Sequence, residues 1–171
     1  MLDESVTRAF ARQQVSDLYS AERDGVFRSL MILGLNRAKA EESTQEAFLR
    51  LYGAFLNGSQ IENPRAWVYR VAHNIAVDAL AYEARESGSL GSVLDDVASS
   101  NGSAEHVLIV DEGIKNLRAA VAKLSKQQRL CLELRAQGLR YQDIAQVLQI
   151  RTSTVGEFLR RAIQQLRKYN L

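Results

Sequence analysis

The pattern that most constrains the fold lies in the C-terminal third of the chain, where two short amphipathic segments flank a brief polar break. The first covers about residues 141–148, and its apolar positions have helical spacing: Ile144, Ala145, Val147 and Leu148. The second begins near Ser153 or Thr154, and its apolar positions repeat in the same way: Val155, Leu159, Ala162, Ile163 and Leu166. These segments predict a helix-turn-helix, whose second helix commonly enters the DNA major groove. Spacing alone leaves open a plain helical hairpin with a solvated polar face.

Charge is distributed unevenly along the chain, although the net charge is only +2. Residues 114–171 hold 12 Lys and Arg against 3 Asp and Glu, whereas residues 87–113 hold 5 acids and no base. Residues 1–86 hold 10 bases against 12 acids and are nearly balanced. The C-terminal third is therefore a basic module, and a basic module favours binding to phosphates.

Four amphipathic segments precede the acidic stretch and predict a small helical domain. These segments are residues 6–18, 21–33, 40–56 and 64–86. Asn63 is placed to cap the last of them, and Pro64 suits its first helical position. Another amphipathic helix is predicted over residues 124–135, with Gly138 at its C-terminal end.

Gly and Ser supply nine of the seventeen residues 87–103, so this stretch cannot bury enough apolar surface to order itself. The sequence predicts an all-α chain of two small helical domains joined by a flexible acidic linker. The predicted boundaries are residues 1–86, 87–110 and 111–171.

Several functional classes are excluded by composition and motif content. No apolar run is long enough to span a membrane, and the polar, acid-containing start is neither a signal nor a transit peptide, so we expect a cytoplasmic protein. Cys131 is the single cysteine and is expected to be a buried small hydrophobe. His73 has no Glu-x-x-His partner pair, and no phosphate loop, nucleophile elbow or Cys/His cluster occurs. We expect no metal, no cofactor and no catalytic activity.

Three stretches carry a resemblance to one protein family. They are AEESTQEAFLRLY at residues 40–52, PRAWVYRVAHNIAVDAL at residues 64–80, and LSKQQRLCLELRAQGLRYQDIAQVLQIRTSTV at residues 124–155. The first two resemble region 2, and the third resembles region 4, of the extracytoplasmic-function (ECF) group of bacterial sigma-70 factors. The resemblance implies an alternative sigma factor that binds core RNA polymerase and brings it to promoter DNA. Region 2 would read and melt the −10 element, region 4 would read the −35 element, and an anti-sigma protein is an expected partner.

The resemblance also assigns roles to individual positions of the N-terminal half. The segment expected to meet the polymerase contains Glu41, Glu42, Gln45 and Glu46. Asn74 falls where the family places an asparagine in a pocket for a flipped-out −10 base, and an amide supplies both a donor and an acceptor for such a base. Arg50 is a basic position beside that surface, and Asn57 and Asn63 bound the loop that would cap the pocket. Trp67 and Tyr69 are candidate melting aromatics, although Trp67 has core spacing.

For the −35 element the candidate residues lie at the start and on the polar face of the last helix: Arg151, Thr152, Ser153, Thr154, Glu157, Arg160 and Arg161. Arg151 can bind phosphate, and Glu157 can accept a hydrogen bond from a cytosine amino group. The chain departs from the family pattern at Ser43 and Thr44, at Arg140 and at Gly156–Glu157. We therefore expect an unusual promoter preference or dependence on a partner.

Two other functions are compatible with parts of this sequence. A helix-turn-helix regulator acting without polymerase would explain residues 124–167 and would leave the region 2 resemblance unexplained. A sigma mimic that sequesters an anti-sigma protein would leave the basic C-terminal module without a role.

Overall fold

The computed structural model describes residues 4–88 and 112–169, and all regular structure within them is α-helical. The helices are α1 (Glu4–Leu33), α2 (Arg37–Leu56), α3 (Pro64–Glu86), α4 (Glu112–Ala122), α5 (Lys126–Ala136), α6 (Tyr141–Leu148) and α7 (Thr152–Arg167). The predicted all-α class is confirmed. We call α1–α3 the N-terminal unit and α4–α7 the C-terminal unit. In the part of the chain described, no helix is long and apolar enough to cross a membrane.

Side-chain caps fix several helix starts. Asn63 Oδ1 accepts the Ala66 N–H at 3.0 Å, and Pro64 occupies the first turn of α3, as the sequence predicts. Asn36 caps α2 in the same way by accepting the Lys39 N–H at 3.0 Å. These caps set where α2 and α3 begin, and therefore which of their side chains face the core.

The predicted break between residues 18 and 21 is wrong, because α1 runs without interruption for 30 residues. No Gly or Pro lies between those positions, so nothing local ends the helix. The N-terminal unit therefore has three helices within the described residues instead of the predicted four. At the start of α1, Val6 and Phe10 are exposed rather than facing the core.

The helix-turn-helix forms as predicted. Helix α6 has the expected bounds, and α7 begins at Thr152, one residue before the expected start. Val155, Leu159 and Ala162 are buried, but Ile163 is 44% exposed and does not belong to the buried stripe as predicted. Ile163 follows Ala162 directly, and one residue turns a helix by about 100°, which carries its side chain past the contact with α5 and α6.

One hydrophobic cluster joins the two units. Val26 and Leu30 of α1 belong to the same cluster as Leu130 and Leu134 of α5 and Ile144 of α6. Helix α1 packs against α5, and α3 packs against α6. The predicted linker, residues 87–110, lies largely outside the described residues, and the predicted domain boundaries stay predictions.

Cys131 is fully buried within this cluster, in agreement with its predicted role as a small hydrophobe. Burial raises the pKa of Cys131 to about 12. The thiol therefore remains protonated and shielded while the chain is folded.

Gly25 permits a close three-way contact between the units. A Cβ added at Gly25 would lie 2.3 Å from Tyr69 Oη on α3 and 2.8 Å from Gln137 Oε1 after α5. The missing side chain thus allows α1 to approach both α3 and the end of α5. This steric need explains a glycine inside a long helix, where glycine is otherwise unfavourable.

We expect Gly25→Ala to destabilise the fold even though alanine is the better helix former. The gain in helix propensity is about 1 kcal/mol, whereas overpacking typically costs about 1–3 kcal/mol. Gly53→Ala is the matched control, because a Cβ added there has no atom of another described element within 4 Å. Urea unfolding should give a lower free energy for Gly25→Ala and a higher one for Gly53→Ala. Equal stabilisation by both substitutions would contradict the close contact.

Candidate nucleic-acid interface

The start of α7 presents three of the seven −35 candidates to solvent. Arg151 takes the N-cap position, and Arg151, Thr152 and Ser153 are exposed, whereas Thr154 is half-buried. The N–H groups of a first turn lack partners within the helix and carry the positive end of the helix dipole. This end of α7 is therefore suited to a phosphate or a base edge.

Further along α7, Glu157 contacts both candidate arginines. Glu157 Oε1 accepts from Arg160 Nη2 at 2.8 Å and from Arg161 Nε at 2.9 Å. Glu157 Oε2 accepts from Arg160 Nε at 3.4 Å. Direct reading of a cytosine by Glu157 would therefore compete with these ion pairs.

Two of the −10 candidates contact the helix-turn-helix. Asn74 Oδ1 accepts from Gln149 Nε2 at 3.0 Å, and Asn63 Nδ2 donates to Asp143 Oδ1 at 3.3 Å. Gln149 lies in the turn before α7 and has a φ of 55°, in the left-handed region. The arrangement thus places the C-terminal unit against the amides that the sequence assigns to −10 recognition.

The other two −10 candidates remain accessible. Arg50 is half-exposed on α2 and forms an ion pair with Glu46 at 2.8 Å. Asn57 takes the C-cap position of α2 and is exposed. Asn63 caps the start of α3 and Asn74 lies within that helix, whereas Arg50 and Asn57 lie on α2 and at its end.

A polar cleft separates the loop before α3 from the start of α6. Its volume is about 610 Å³. The lining residues include Asn63, Trp67 and Arg70 from the N-terminal unit and Arg140 and Gln146 from the C-terminal unit. The predicted pocket-capping loop therefore faces the helix-turn-helix across this cleft.

The aromatic candidates are mostly withdrawn from solvent. Tyr69 is 1% exposed and donates to Glu22 Oε2 at 3.1 Å. Burial and the charge of Glu22 raise the pKa of Tyr69, so its hydroxyl stays protonated. The hypothesis that Tyr69 melts DNA does not fit this position, because a side chain in the core cannot stack on a base. Trp67 is half-buried against the core, as its spacing predicts.

The candidates for polymerase contact lie on the outer face of α2. Glu41, Glu42 and Gln45 are exposed, and Glu46 is half-buried beside Arg50. Beside them lies an apolar groove of about 570 Å³ between α1 and α2, lined by Arg12, Val15, Ser16, Tyr19, Gln45, Phe48, Leu49 and Tyr52. Leu49 is 64% exposed, which is unusual for a leucine in the middle of a helix. Acids beside an exposed apolar groove are typical of a protein-binding surface.

Ser43 and Thr44, where the chain departs from the family pattern, are buried instead of lying on this surface. Thr44 Oγ1 donates to the Ala40 carbonyl at 2.7 Å, which satisfies its hydroxyl inside the core. This departure from the family pattern therefore changes the core beneath α2 and not the exposed face proposed for polymerase. Arg140 does not cap α6 through its side chain; Asp143 accepts from the Arg140 N–H at 3.0 Å instead.

A group of residues at the junction of α1, α3 and α5 was not predicted from the sequence. We call Glu22, Arg65, Tyr69 and Gln137 the interface cluster. Arg65 Nε lies 2.7 Å from Glu22 Oε1, and Arg65 Nη2 donates to the Gln137 carbonyl at the end of α5. Nearby, Arg28 Nε donates to Glu133 Oε1 at 2.9 Å. A cation at a helix C-terminus also complements the helix dipole, so Arg65 stabilises the junction of the two units.

Comparison with known proteins identifies both units. Residues 18–86 match the family model Sigma-70 region 2, and residues 114–166 match Sigma-70, region 4. The chain is 28% identical over 155 residues to ECF RNA polymerase sigma factor SigE of Mycolicibacterium smegmatis, covering 90% of the chain and 60% of that relative. It is 29% identical to RNA polymerase sigma-H factor of Pseudomonas aeruginosa, covering 76% of the chain and 72% of that relative.

Solved structures share the fold at low identity. The sigma factor RpoE of Bartonella quintana, in complex with the anti-sigma factor NepR, superposes with a TM-score of 0.63 at 18% identity. The match covers 92% of this chain and 94% of the solved chain. CnrH, in complex with the cytosolic domain of CnrY, superposes with a TM-score of 0.55 at 18% identity. The match covers 97% of this chain and 96% of the solved chain.

The two family matches occur in the expected order and together cover most of the chain, and their helices are those predicted from the sequence motifs. Both relatives are named as RNA polymerase sigma factors, and the one from Mycolicibacterium smegmatis is named as an ECF sigma factor. The chain belongs to the ECF group of the sigma-70 family.

Proposed function

We propose that this chain is an alternative sigma factor that binds core RNA polymerase in the cytoplasm and directs promoter recognition, melting and transcription initiation. The observation that carries the proposal is the presence of both DNA-reading units in one chain, region 2 followed by region 4. A regulator acting alone would need only the second of these units.

In this function α3 and its preceding loop read the −10 element. Asn74 carries an amide that pairs with the edge of an extruded base. Asn63 offers its Nδ2 donor, because its Oδ1 caps α3, and Arg50 and Asn57 contact the neighbouring backbone or bases. The −35 element is read by the start and polar face of α7, through Arg151, Thr152, Ser153, Thr154, Glu157, Arg160 and Arg161. Phosphate contacts by the arginines would position α7, and base contacts would select the sequence.

The polymerase-binding surface comprises the acids and glutamine of α2 together with the adjacent groove. Glu41, Glu42 and Gln45 are exposed to an incoming basic partner. Leu49 and the groove beside it offer apolar area, which supplies most of the free energy in protein association. Charge would then determine the orientation and rate of binding.

The described arrangement must open for DNA to be read. Asn63 and Asn74 contact the C-terminal unit, so a DNA strand cannot pair with them while those contacts hold. We propose that binding to polymerase separates the two units and releases the −10 surface. Each hydrogen bond contributes only about 1 kcal/mol, but the shared hydrophobic cluster and the contacts of Arg65 must also be broken. Binding to polymerase must supply the free energy for all of these contacts.

An anti-sigma protein is a further proposed partner. The RpoE structure of Bartonella quintana contains the anti-sigma factor NepR. An anti-sigma partner would bind this chain's closed arrangement or its polymerase surface and so oppose assembly of the holoenzyme.

The proposed function is tested by gel filtration of the purified chain with core RNA polymerase from its own host. Co-elution at one-to-one stoichiometry, followed by transcription from a mapped promoter, is the expected result. A chain that elutes alone but still binds duplex DNA would be a regulator acting without polymerase. A chain that does neither, and that instead binds an anti-sigma protein, would be a sigma mimic.

We expect Glu46→Lys to weaken co-elution with core polymerase, because it places a second cation beside Arg50 on the proposed binding surface. Glu86→Lys is the control with the same change in charge, at the exposed end of α3. Titration of polymerase with each labelled variant gives the two affinities. Equal affinities would show that Glu46 only forms an ion pair with Arg50 on the surface of α2.

We expect Asn74→Ala to reduce −10 opening about tenfold, the effect of losing one base contact, with polymerase binding unchanged. Gln149→Ala is the matched control, because it removes the same contact between the units and leaves Asn74 in place. Permanganate reactivity of the promoter in the holoenzyme complex measures opening. If both variants open the promoter as the wild type does, Asn74 does not read the −10 element.

We expect Arg65→Ala to lower the free energy of unfolding by about 2 kcal/mol, because it leaves the largely buried Glu22 without its cation. Arg37→Ala should have an effect of at most about 0.5 kcal/mol, because its pair with Glu41 is exposed. X-ray scattering should also show a larger radius of gyration for Arg65→Ala. If the free energy of unfolding and the radius of gyration are both unchanged, Arg65 does not hold the two units together.

A further inference from the structure

The solvent face of α7 holds one carboxylate between two guanidiniums. Glu157, Arg160 and Arg161 have side chains that are 41%, 55% and 58% exposed. Side chains in a helix lean toward its N-terminus, so arginines three and four residues after Glu157 extend back over it. This triad lies within the surface proposed to read the −35 element.

Arg160 is held from two sides. Glu157 accepts from Nε and Nη2 of Arg160, and Gln164 Oε1 accepts from Nη1 at 3.3 Å. Each terminal nitrogen of a guanidinium carries two N–H groups. One N–H on Nη1 and one on Nη2 therefore remain unused by these contacts. Such a pair of donors matches the O6 and N7 acceptors of guanine.

Helix stability does not account for this triad. Exposed ion pairs at spacings of three and four residues contribute about 0.3–0.5 kcal/mol. The two pairs therefore stabilise α7 only weakly, and their clearer effect is to fix where the guanidinium groups point.

The carboxylate also lowers the local positive charge. The hydrogen bond from Arg160, followed by the charges of Arg160 and Arg161, lowers the pKa of Glu157 below its ordinary value. The triad consequently carries one net positive charge at neutral pH instead of two. Attraction to phosphate, which carries no sequence information, falls accordingly.

We propose that Glu157 is a positioning residue that fixes the Arg160 guanidinium for bidentate reading of a guanine in the −35 element and restrains Arg160 and Arg161 from binding phosphates indiscriminately. The proposal rests on the proposed function, since it names how region 4 chooses its sequence. It assigns Glu157 an indirect role in place of the direct cytosine contact expected from its residue type.

The test uses the full chain, alone and bound to core polymerase, with a pool of duplexes whose promoter segments are randomised. Bound duplexes are recovered and sequenced, and affinity for an unselected duplex is measured over a series of salt concentrations. The variants are Glu157→Gln, which keeps the shape and removes the charge, and Arg160→Lys, which keeps the charge and removes the bidentate pair. Asp17→Asn, an exposed carboxylate on α1, is the control for a general change in charge.

The wild type should select guanine at one −35 position, and Glu157→Gln should lose that preference by about tenfold. For Glu157→Gln, the slope of log affinity against log salt concentration should steepen by about one for each arginine that gains a phosphate contact. Arg160→Lys should lose the same preference with a salt dependence near that of the wild type. Asp17→Asn should resemble the wild type in both measurements.

Three results would overturn the proposal. Glu157→Gln could keep the guanine preference and the salt dependence of the wild type, which would make the triad a solvated ion pair. It could instead lose a preference for cytosine, which would restore direct reading by Glu157. A wild type that co-elutes with polymerase but selects no base in this region would also refute the positioning role, while the proposed function would stand. Failure to co-elute would refute the proposed function itself, and base selection by the chain alone would still decide the role of Glu157.

Discussion

The arrangement of this chain depends on the contact that joins its two helical units around the interface cluster. Gly25 on α1 lets Tyr69 and Gln137 approach, and Arg65 bridges Glu22 to the end of α5. Glu22 is largely buried and Arg65 is partly buried beside the buried Tyr69, so charge pairing and burial depend on each other. A buried carboxylate without its cation would be costly, which makes this junction specific rather than a loose association of two amphipathic surfaces.

This contact has a functional consequence because the same faces are assigned to DNA. Helix α6 and the turn after it face α3, where they engage Asn63 and Asn74. The first turn of α7, by contrast, stays exposed. In the proposed function the two DNA-reading surfaces are therefore unequal before polymerase binds: the first turn of α7 is accessible, whereas Asn63 and Asn74 of the −10 surface are engaged by the C-terminal unit. Assembly with polymerase would supply the free energy that separates the units.

Local signals in the sequence predicted the helices well. Asn63 and Pro64 set the start of α3, and the apolar spacing at Ile144 and Val147 set α6, because caps and periodicity act over a few residues. The break expected within α1 was wrong, since a weak apolar pattern was read as a helix end where no Gly or Pro stands.

Contacts such as Arg65 with Gln137, 72 positions apart, leave no local pattern and could not be predicted. The left-handed backbone conformation of Gln149 could not be predicted either, because that conformation usually favours Gly or Asn. The roles of the site residues rest on family resemblance, and the structure supplies their surroundings.

We infer that the free chain is closed and that polymerase opens it. This is tested by the distance between spin labels at Asp78→Cys and Gln146→Cys, two exposed positions that lie four and three residues from the Asn74–Gln149 contact between the units. The buried thiol of Cys131 should not react with the label while the chain is folded. We expect one short distance in the free chain and a clearly longer one in the complex with core polymerase and promoter DNA. The same short distance in a complex that opens promoters would show that polymerase does not separate the two units.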